Sequence, residues 1–563
     1  MNQVKKLEKQ DILFWVCLFA CMGIFFWRCT FSINYYDEPY GIAVIWRFFK
    51  GGAILAEDWH PSQQLTAWIL WPLYVFLHTI LGGNEGIILG FRISYVLLQG
   101  VITVYCYYRL RKYHDYPIAA VLLYMFSTHN NMTTINYNTI GIGTLMVLLT
   151  TLYTEERNRR YTYYLCGVLF AIMVLAQPYS IMMFGVWGIA VCFAKFFRKD
   201  CKIPQLLRMS NYFYVCLGAA TVLVLFLIIV FFRANIESVI TGIYYYLNDP
   251  EHQMDLSYKF TKYFERFYRY YKYQILMIGV SIFVGLVKQK KLSKIARCVC
   301  LILTTIAFAY TMIYHGWISD YVPIDFISVP MTFYGISLLA ISRQKNWKLF
   351  FFWIVPALLY TFCVQLATDT GILAVSAATI VASSGGALLA AEFLIEEKKF
   401  ILKKSYQVLL ICFVMVNIMQ AGLFLYQRIC YTWWSEDVSL CTETVQSGPA
   451  KGIKTSKDDL IWYENTLKEI DDLQLTENDR LLILEHASWL YLYADIPVST
   501  YSFWTVGEEN YLEEYYELYP GKRPTVVYVS DIEEPKEKRY VKMFQEEGYI
   551  LKEYDSGNIF LTK

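Results

Sequence analysis

The sequence predicts a mainly α-helical, polytopic membrane protein with about thirteen transmembrane helices and a small extracytoplasmic α/β domain at its C-terminal end. Three observations predict this. Hydrophobic residues make up 56% of the 563, and they fall in runs of about 20, the length that crosses a bilayer as a helix. Lys and Arg cluster in alternate loops between the runs, as they do in short cytoplasmic loops. After residue 425 the runs stop, and acids outnumber bases by 26 to 14, a balance that suits a water-exposed unit. The net charge of +2 gives no global attraction to nucleic acid.

The elements follow in order. A basic start, Lys5, Lys6 and Lys9, precedes the apolar run Ile12 to Trp27. That run is bulky and no small-x-small site follows it, so it reads as a retained first span rather than a cleaved signal. Spans are expected at about 11–29, 86–108, 117–134, 137–153, 161–177, 179–196, 212–232, 273–288, 298–315, 324–341, 349–366, 372–395 and 405–425. The basic clusters Arg109/Arg111/Lys112, Arg157/Arg159/Arg160, Lys195 to Arg208, Lys288 to Arg297, Arg343/Lys345/Lys348 and Lys398 to Lys404 then share one side with the N-terminus. This bias sets a multi-pass protein of the cell membrane with a cytoplasmic N-terminus. Leu65 to Leu81 is apolar but is read as a helix in the outer interface, because a crossing there would turn Arg109 to Lys112 outward. A true span at 65–81 is the alternative.

Residues 1–425 thus form the transmembrane part, with a long first outer loop at 30–85 and a basic-aromatic outer region at 233–272. Residues 426–563 form the second domain. Arg480 to Glu485 and Pro524 to Val529 read as buried strands, Glu508 to Leu518 and Lys536 to Glu547 as helices, and 548–552 with 558–562 as a closing hairpin. Most of the fourteen cysteines lie in spans without metal-ligand spacing. Cys430 and Cys441 both lie outside, and spacing leaves open whether they form a disulfide.

The first outer loop carries the chemistry. Asp37 and Glu38 stand side by side just past the first span, where unpaired acids are costly. An apolar stretch, Gly41 to Phe49, is expected as a short helix ended by Gly51-Gly52. Beyond it come Glu57, Asp58, His60 and Gln63. The order Asp37-Glu38, Arg47-Phe-Phe-Lys-Gly51, Asp58-Trp-His60-Pro61, Gly82-Gly83 and Arg92 resembles the membrane glycosyltransferases of the GT-C fold. These include the aminoarabinose transferases and the protein O-mannosyltransferases of glycosyltransferase family 39. The resemblance in motif covers about 60 residues; the expected topology extends it along the chain.

The resemblance implies transfer of a sugar from a polyprenyl-phosphate donor to a sugar, lipid or protein acceptor on the outer face, by a single inverting displacement. By position, Asp37 takes the role of general base, and Glu38 assists it or helps place a divalent cation. The acceptor hydroxyl must lose a proton as it attacks, and a carboxylate can take it. One departure concerns the outer start of the fourth span. Many relatives carry an acid there, whereas this chain has His129-Asn-Asn131 and Asn136-Tyr-Asn138. Asn136 and Asn138 can hydrogen-bond a sugar but cannot act as bases.

Other candidate donor-binding residues are Arg233 and the helix-spaced Lys262, Arg266 and Arg269, which sit among aromatics and could grip lipid phosphate. Arg92, inside the second span, needs a partner: phosphate, a first-loop acid, or a plain structural ion pair. His315, Asp320 and Tyr321 bring polar groups to the same outer surface. Two other readings remain, a lipid or oligosaccharide transporter or flippase and a non-catalytic envelope-assembly protein. No internal repeat of the kind transporters often show is visible.

Overall fold

The computed structural model describes residues 2–59, 64–127, 132–197, 204–248, 255–286, 290–314, 324–367, 377–398, 403–430, 436–484, 487–507, 510–529 and 535–563. The chain is mainly helical. In order the helices are α1 (Asn2–Cys29), α2 (Asp37–Phe49), α3 (Gln64–Leu81), α4 (Ile87–Leu110), α5 (Pro117–Phe126), α6 (Tyr137–Tyr153), α7 (Arg160–Ala176), α8 (Ile181–Phe197) and α9 (Met209–Arg233). They continue with α10 (Ile236–Leu247), α11 (Leu256–Leu286), α12 (Lys290–Ile313), α13 (Ile324–Ile341), α14 (Trp347–Ala367), α15 (Ile380–Lys398) and α16 (Lys403–Cys430). Among the described residues eight helices are long and apolar enough to cross a membrane, a pattern that suggests a multi-pass membrane protein.

The apolar runs explain most helix positions, and the exceptions have local causes. The span expected at 117–134 ends as a helix at Phe126, where Ser127 turns extended. The sequence from Ser127 to Asn131 is rich in side chains that compete with the helix for backbone hydrogen bonds. The run expected at 273–288 is the second half of a 31-residue helix, α11, whose first half holds the basic-aromatic stretch. Neighbouring helices approach closely at glycines. A Cβ added to Gly167 of α7 would lie 2.0 Å from the Val215 carbonyl oxygen, and one on Gly218 of α9 2.0 Å from that of Tyr164. Small residues let apolar helices touch backbone to backbone.

The bundle has two distinct ends. At one, Arg111 pairs with Asp11, Arg109 Nε donates to Thr154 Oγ1 at 2.8 Å, and Asn346 Nδ2 donates to Glu392 at 2.8 Å. Arg109, Lys112, Arg157 and Arg159 line one cavity there, so basic clusters from separate loops gather on this side. The other end is capped by residues 436–563.

That capping region holds a four-stranded sheet of order β3-β4-β6-β5, from β3 (Leu481–Ile483), β4 (Val526–Val529), β5 (Ile550–Glu553) and β6 (Ile559–Thr562). The pair β3–β4 is parallel and the other two are antiparallel, with Leu481 opposite Val526 and Val527 opposite Leu561. A smaller pair, β1 (Glu443–Thr444) and β2 (Lys454–Thr455), precedes it. Strands β3 and β4 are buried along their length, as continuous apolar runs covered on both faces should be. Alternate residues divide between two cores. Leu482, Val527 and Leu561 pack with Tyr515, Tyr540 and Phe544. Leu481, Val526, Tyr528 and Phe560 join a core that also contains Ile42, Val44 and Phe48 of α2 and Ile88 and Phe91 of α4. The sheet and the first-loop helix therefore share one hydrophobic core.

Backbone bonds reinforce this docking. Ser32 N donates to Lys454 O and Lys454 N to Thr30 O, both at 2.7 Å, and Gly86 N donates to Gly448 O at 3.0 Å. Helix α3 is among the eight helices long enough to cross, yet both of its flanks are tied to the capping region. Before it, Trp59 N donates to Tyr501 O at 3.0 Å; after it, Asn84 Nδ2 donates to Leu492 O at 2.8 Å. Its remaining face exposes Trp71, Phe76 and Ile80.

Candidate functional site

The site begins with the turn that opens α2. Asn34 Oδ1 accepts the backbone N–H groups of Tyr36 at 3.0 Å and Asp37 at 2.7 Å. These are orphan donors of a helix start, and the side chain fixes where α2 begins. Asp37 and Glu38 fill the first turn, where the helix dipole favours acids.

The two acids then part. Glu38 is 2% exposed and faces α4. Arg92 Nε donates to its Oε1 at 2.7 Å and Arg92 Nη2 to its Oε2 at 2.6 Å. The other Arg92 donors reach the carbonyls of Cys29 at 2.9 Å, Phe31 at 3.0 Å and Ser32 at 2.8 Å. All five guanidinium N–H groups are used. Arg92 keeps no donor for a substrate phosphate, and both Glu38 oxygens are engaged. Of the partners open to Arg92, the structure has the first-loop acid: a buried ion pair with Glu38 ties α4 to the loop, and the expected assistance of Glu38 to Asp37 gives way to it.

Asp37 lies one residue back and only half-buried. It is close enough to Tyr137, the first residue of α6, for the two side chains to interact electrostatically. Two neighbours hold the α6 start in place. Asn136 caps the helix: its Oδ1 accepts from Thr139 N at 3.0 Å, and its own N–H donates to Thr139 Oγ1 at 2.9 Å. Asn138 Oδ1 accepts from Nε2 of Gln177, the residue that follows α7, at 2.5 Å. Both asparagines were candidates for sugar contacts; their amide oxygens instead position Tyr137.

A second centre forms at the far end of α2. Arg47, 2% exposed, donates to Asp58 Oδ1 at 2.5 Å, to Thr500 O at 2.8 Å and to Tyr515 OH at 3.0 Å. Glu57 lies 3.6 Å from Arg47 and 3.1 Å from Lys522. Burial pushes the Asp58 carboxyl up to about 6, against the pull of Arg47. Glu57 moves the other way: burial raises it, but Arg47 and Lys522 together hold it below the usual glutamate value. Glu57 and Asp58, expected to bind substrate, are joined here to Arg47 and the capping region. Arg233, expected to grip lipid phosphate, donates to the carbonyls of Phe48 at 2.5 Å and Gly52 at 3.1 Å, and caps the end of α2.

Other expected residues are scattered or lie outside the described set. Arg269 is exposed, with its guanidinium 5.9 Å from the Tyr270 ring. Lys262 and Arg266 belong to α11, but their side chains are outside the described set. His60, Gln63, His315, Asp320 and Tyr321 fall outside the described residues. Cys430 and Cys441 are free thiols. The residues do not fit a divalent cation at the Asp37-Glu38 pair. Such an ion wants several oxygen ligands, both oxygens of Glu38 belong to Arg92, and no group of three His, Cys, Asp or Glu among the described residues is arranged to hold a metal.

Sequence reading missed Tyr137, Tyr515 and Lys522. Tyr137 stands between the two asparagines already singled out, and its place as the first helical residue was the available signal. Tyr515 lies 468 residues from Arg47, and no local pattern links them. No family model matches the chain, and no curated protein matches it.

Proposed function

We propose that the chain is a membrane glycosyltransferase. It moves a sugar from a polyprenyl-phosphate donor to an acceptor hydroxyl at the capped end of the bundle, on the extracytoplasmic face. The observation that carries this reading is the separation of the two acids. Glu38 is neutralised inside the protein by Arg92, while Asp37 stays half-buried beside Tyr137 at the rim. A half-buried carboxylate placed by a helix start at a membrane boundary suits a general base.

In the proposed reaction the acceptor oxygen attacks the anomeric carbon and its proton passes to Asp37. The bond from that carbon to the phosphate oxygen breaks, and its electron pair leaves with the polyprenyl phosphate. Inversion follows from the single displacement. The Tyr137 hydroxyl is suited to orient the acceptor. The gathering of basic clusters at the opposite end supports a cytoplasmic placement for that end and an outward one for the site. The exposed apolar face of α3, with both flanks tied to the capping region, suits a helix lying in the outer interface.

The test uses purified full-length protein in lipid nanodiscs with a polyprenyl-phosphate hexose and an envelope extract as acceptor source. Release of polyprenyl phosphate is followed by mass spectrometry. Asp37→Asn should lower the rate by roughly 10²–10⁴-fold with the melting temperature unchanged. Full activity in that variant would remove Asp37 from the reaction.

A further inference from the structure

Arg428, near the end of α16, is 2% exposed. Among the described residues, its guanidinium nitrogens have no carboxylate or carbonyl partner, and the Tyr95 hydroxyl is the polar group near enough to bond to them. Around it lie two rings, Phe25 of α1, 4.2 Å from the guanidinium carbon to the ring centre, and Tyr95 of α4, at 6.0 Å, with the thiols of Cys21 and Cys29 nearby. Arg28 and Arg92 are also close, and Arg28 feels the charge of both. The buried carboxylate beside them, Glu38, is spent on Arg92. The titratable groups that act most on the Arg428 charge are Tyr95, Cys29 and Cys21, none of them a carboxylate. Ring faces attract a cation but do not replace the water lost by a buried guanidinium. A charge placed so deep calls for a counter-ion.

We propose that Arg428 anchors an anion site and that its occupant is a phosphate group. The planar guanidinium fork matches phosphate oxygens two at a time. The place lies about one helical turn below the capped end, since Phe25 is four residues from the end of α1 and Arg428 two from the end of α16. A lipid headgroup or a free phosphate could supply that chemistry. The site follows from burial and charge alone and does not depend on the proposed transfer reaction.

The experiment measures phosphorus bound to delipidated, purified full-length protein, and its thermal unfolding with three probes: polyprenyl phosphate, phosphatidylglycerol and inorganic phosphate. Wild type should melt several degrees higher with at least one probe. A response to either lipid but not to inorganic phosphate identifies a headgroup; a response to inorganic phosphate identifies a soluble anion. Arg428→Met should respond to none, and unliganded it should melt no lower than unliganded wild type, because a buried lone charge has been removed. Arg428→Lys keeps the charge without the fork and should respond more weakly than wild type. If wild type binds no phosphorus and melts identically with all three probes, the site is refuted. An equal response in wild type and Arg428→Met also refutes it, and the wild-type titration decides even if the variants do not fold.

Discussion

Among single side chains, the Glu38–Arg92 pair is where the fold is most vulnerable. Both groups are nearly fully buried. Removing one partner leaves an uncompensated charge, which costs about 3–5 kcal/mol. Glu38→Gln and Arg92→Met should each lower thermal stability in detergent by that order, and the double variant should recover much of the loss. Equal losses that simply add would show that the two side chains do not depend on each other. Asp58 makes a different prediction. Its carboxyl titrates at about 6 in the folded chain against 3.8 for an ordinary aspartate. The folded chain holds the proton more tightly, so the contribution of Asp58 to stability is full below about pH 4 and is lost as pH rises through about 6. Glu57 acts with opposite sign: its contribution is present above its ordinary value of 4.5 and is lost as pH falls below it. The melting temperature of wild type minus that of Asp58→Asn should therefore fall between about pH 4 and 6 and level off above. A flat difference over that range would contradict the assigned shift. The acids themselves were legible in the sequence, since Asp37, Glu38, Glu57 and Asp58 stand out in an apolar loop. Their division of labour was not, because Glu38 finds Arg92 54 residues away, and which of two adjacent acids faces inward depends on the azimuth of a helix not yet packed.

For the helices, apolar run length decides position and glycine decides spacing. The tight crossing of α7 and α9 predicts that Gly167→Ala and Gly218→Ala each force the pair apart, because the added carbon would meet a backbone oxygen at 2.0 Å. Such overpacking costs about 1–3 kcal/mol, to be read as a lower unfolding temperature. Gly422→Ala in α16 should be harmless, as nothing lies within 4 Å of its added carbon. Equal effects at all three glycines would argue against the crossing. Long apolar runs made most of these helices readable: α6 (Tyr137–Tyr153) and α13 (Ile324–Ile341) occupy stretches the run lengths assign. Helix α3 shows the limit of that signal. Length and composition alone count it with the crossing helices; only the ties of Trp59 and Asn84 to distant residues show that both its flanks meet the same region.

Across the whole molecule, α2 and the described residues of the capping region share an apolar core. Asp495 accepts from Trp46 Nε1 at 2.7 Å and pairs with Lys50 at 2.9 Å. It sits in the left-handed region at φ 52°, which Asp tolerates and Gly prefers. Asp495→Gly therefore keeps the backbone and removes both contacts. Amide hydrogen exchange in α2 should speed up in this variant while that of α7 and α9 is unchanged. No change in α2 would mean that the shared apolar core alone holds the two parts together. This joint was invisible in the sequence, where the shift to acidic composition after residue 425 suggests an independent unit. The strands β3, β4, β5 and β6 lie where alternation and apolar runs place them, but the sequence has no mark for the face that meets α2.

The Arg92 cage also bears on how the chain is made. Arg92 is the sixth residue of α4, so its charge enters near one end of the helix, at a cost below the figure of about 2.5–3.5 kcal/mol for a central arginine. Every group that satisfies Arg92 lies upstream of it, between Cys29 and Glu38, and is synthesised first. When α4 leaves the ribosome, its counter-ion and three carbonyl acceptors are already at hand. Insertion of this segment can thus be completed from the N-terminal hundred or so residues, before the capping region exists.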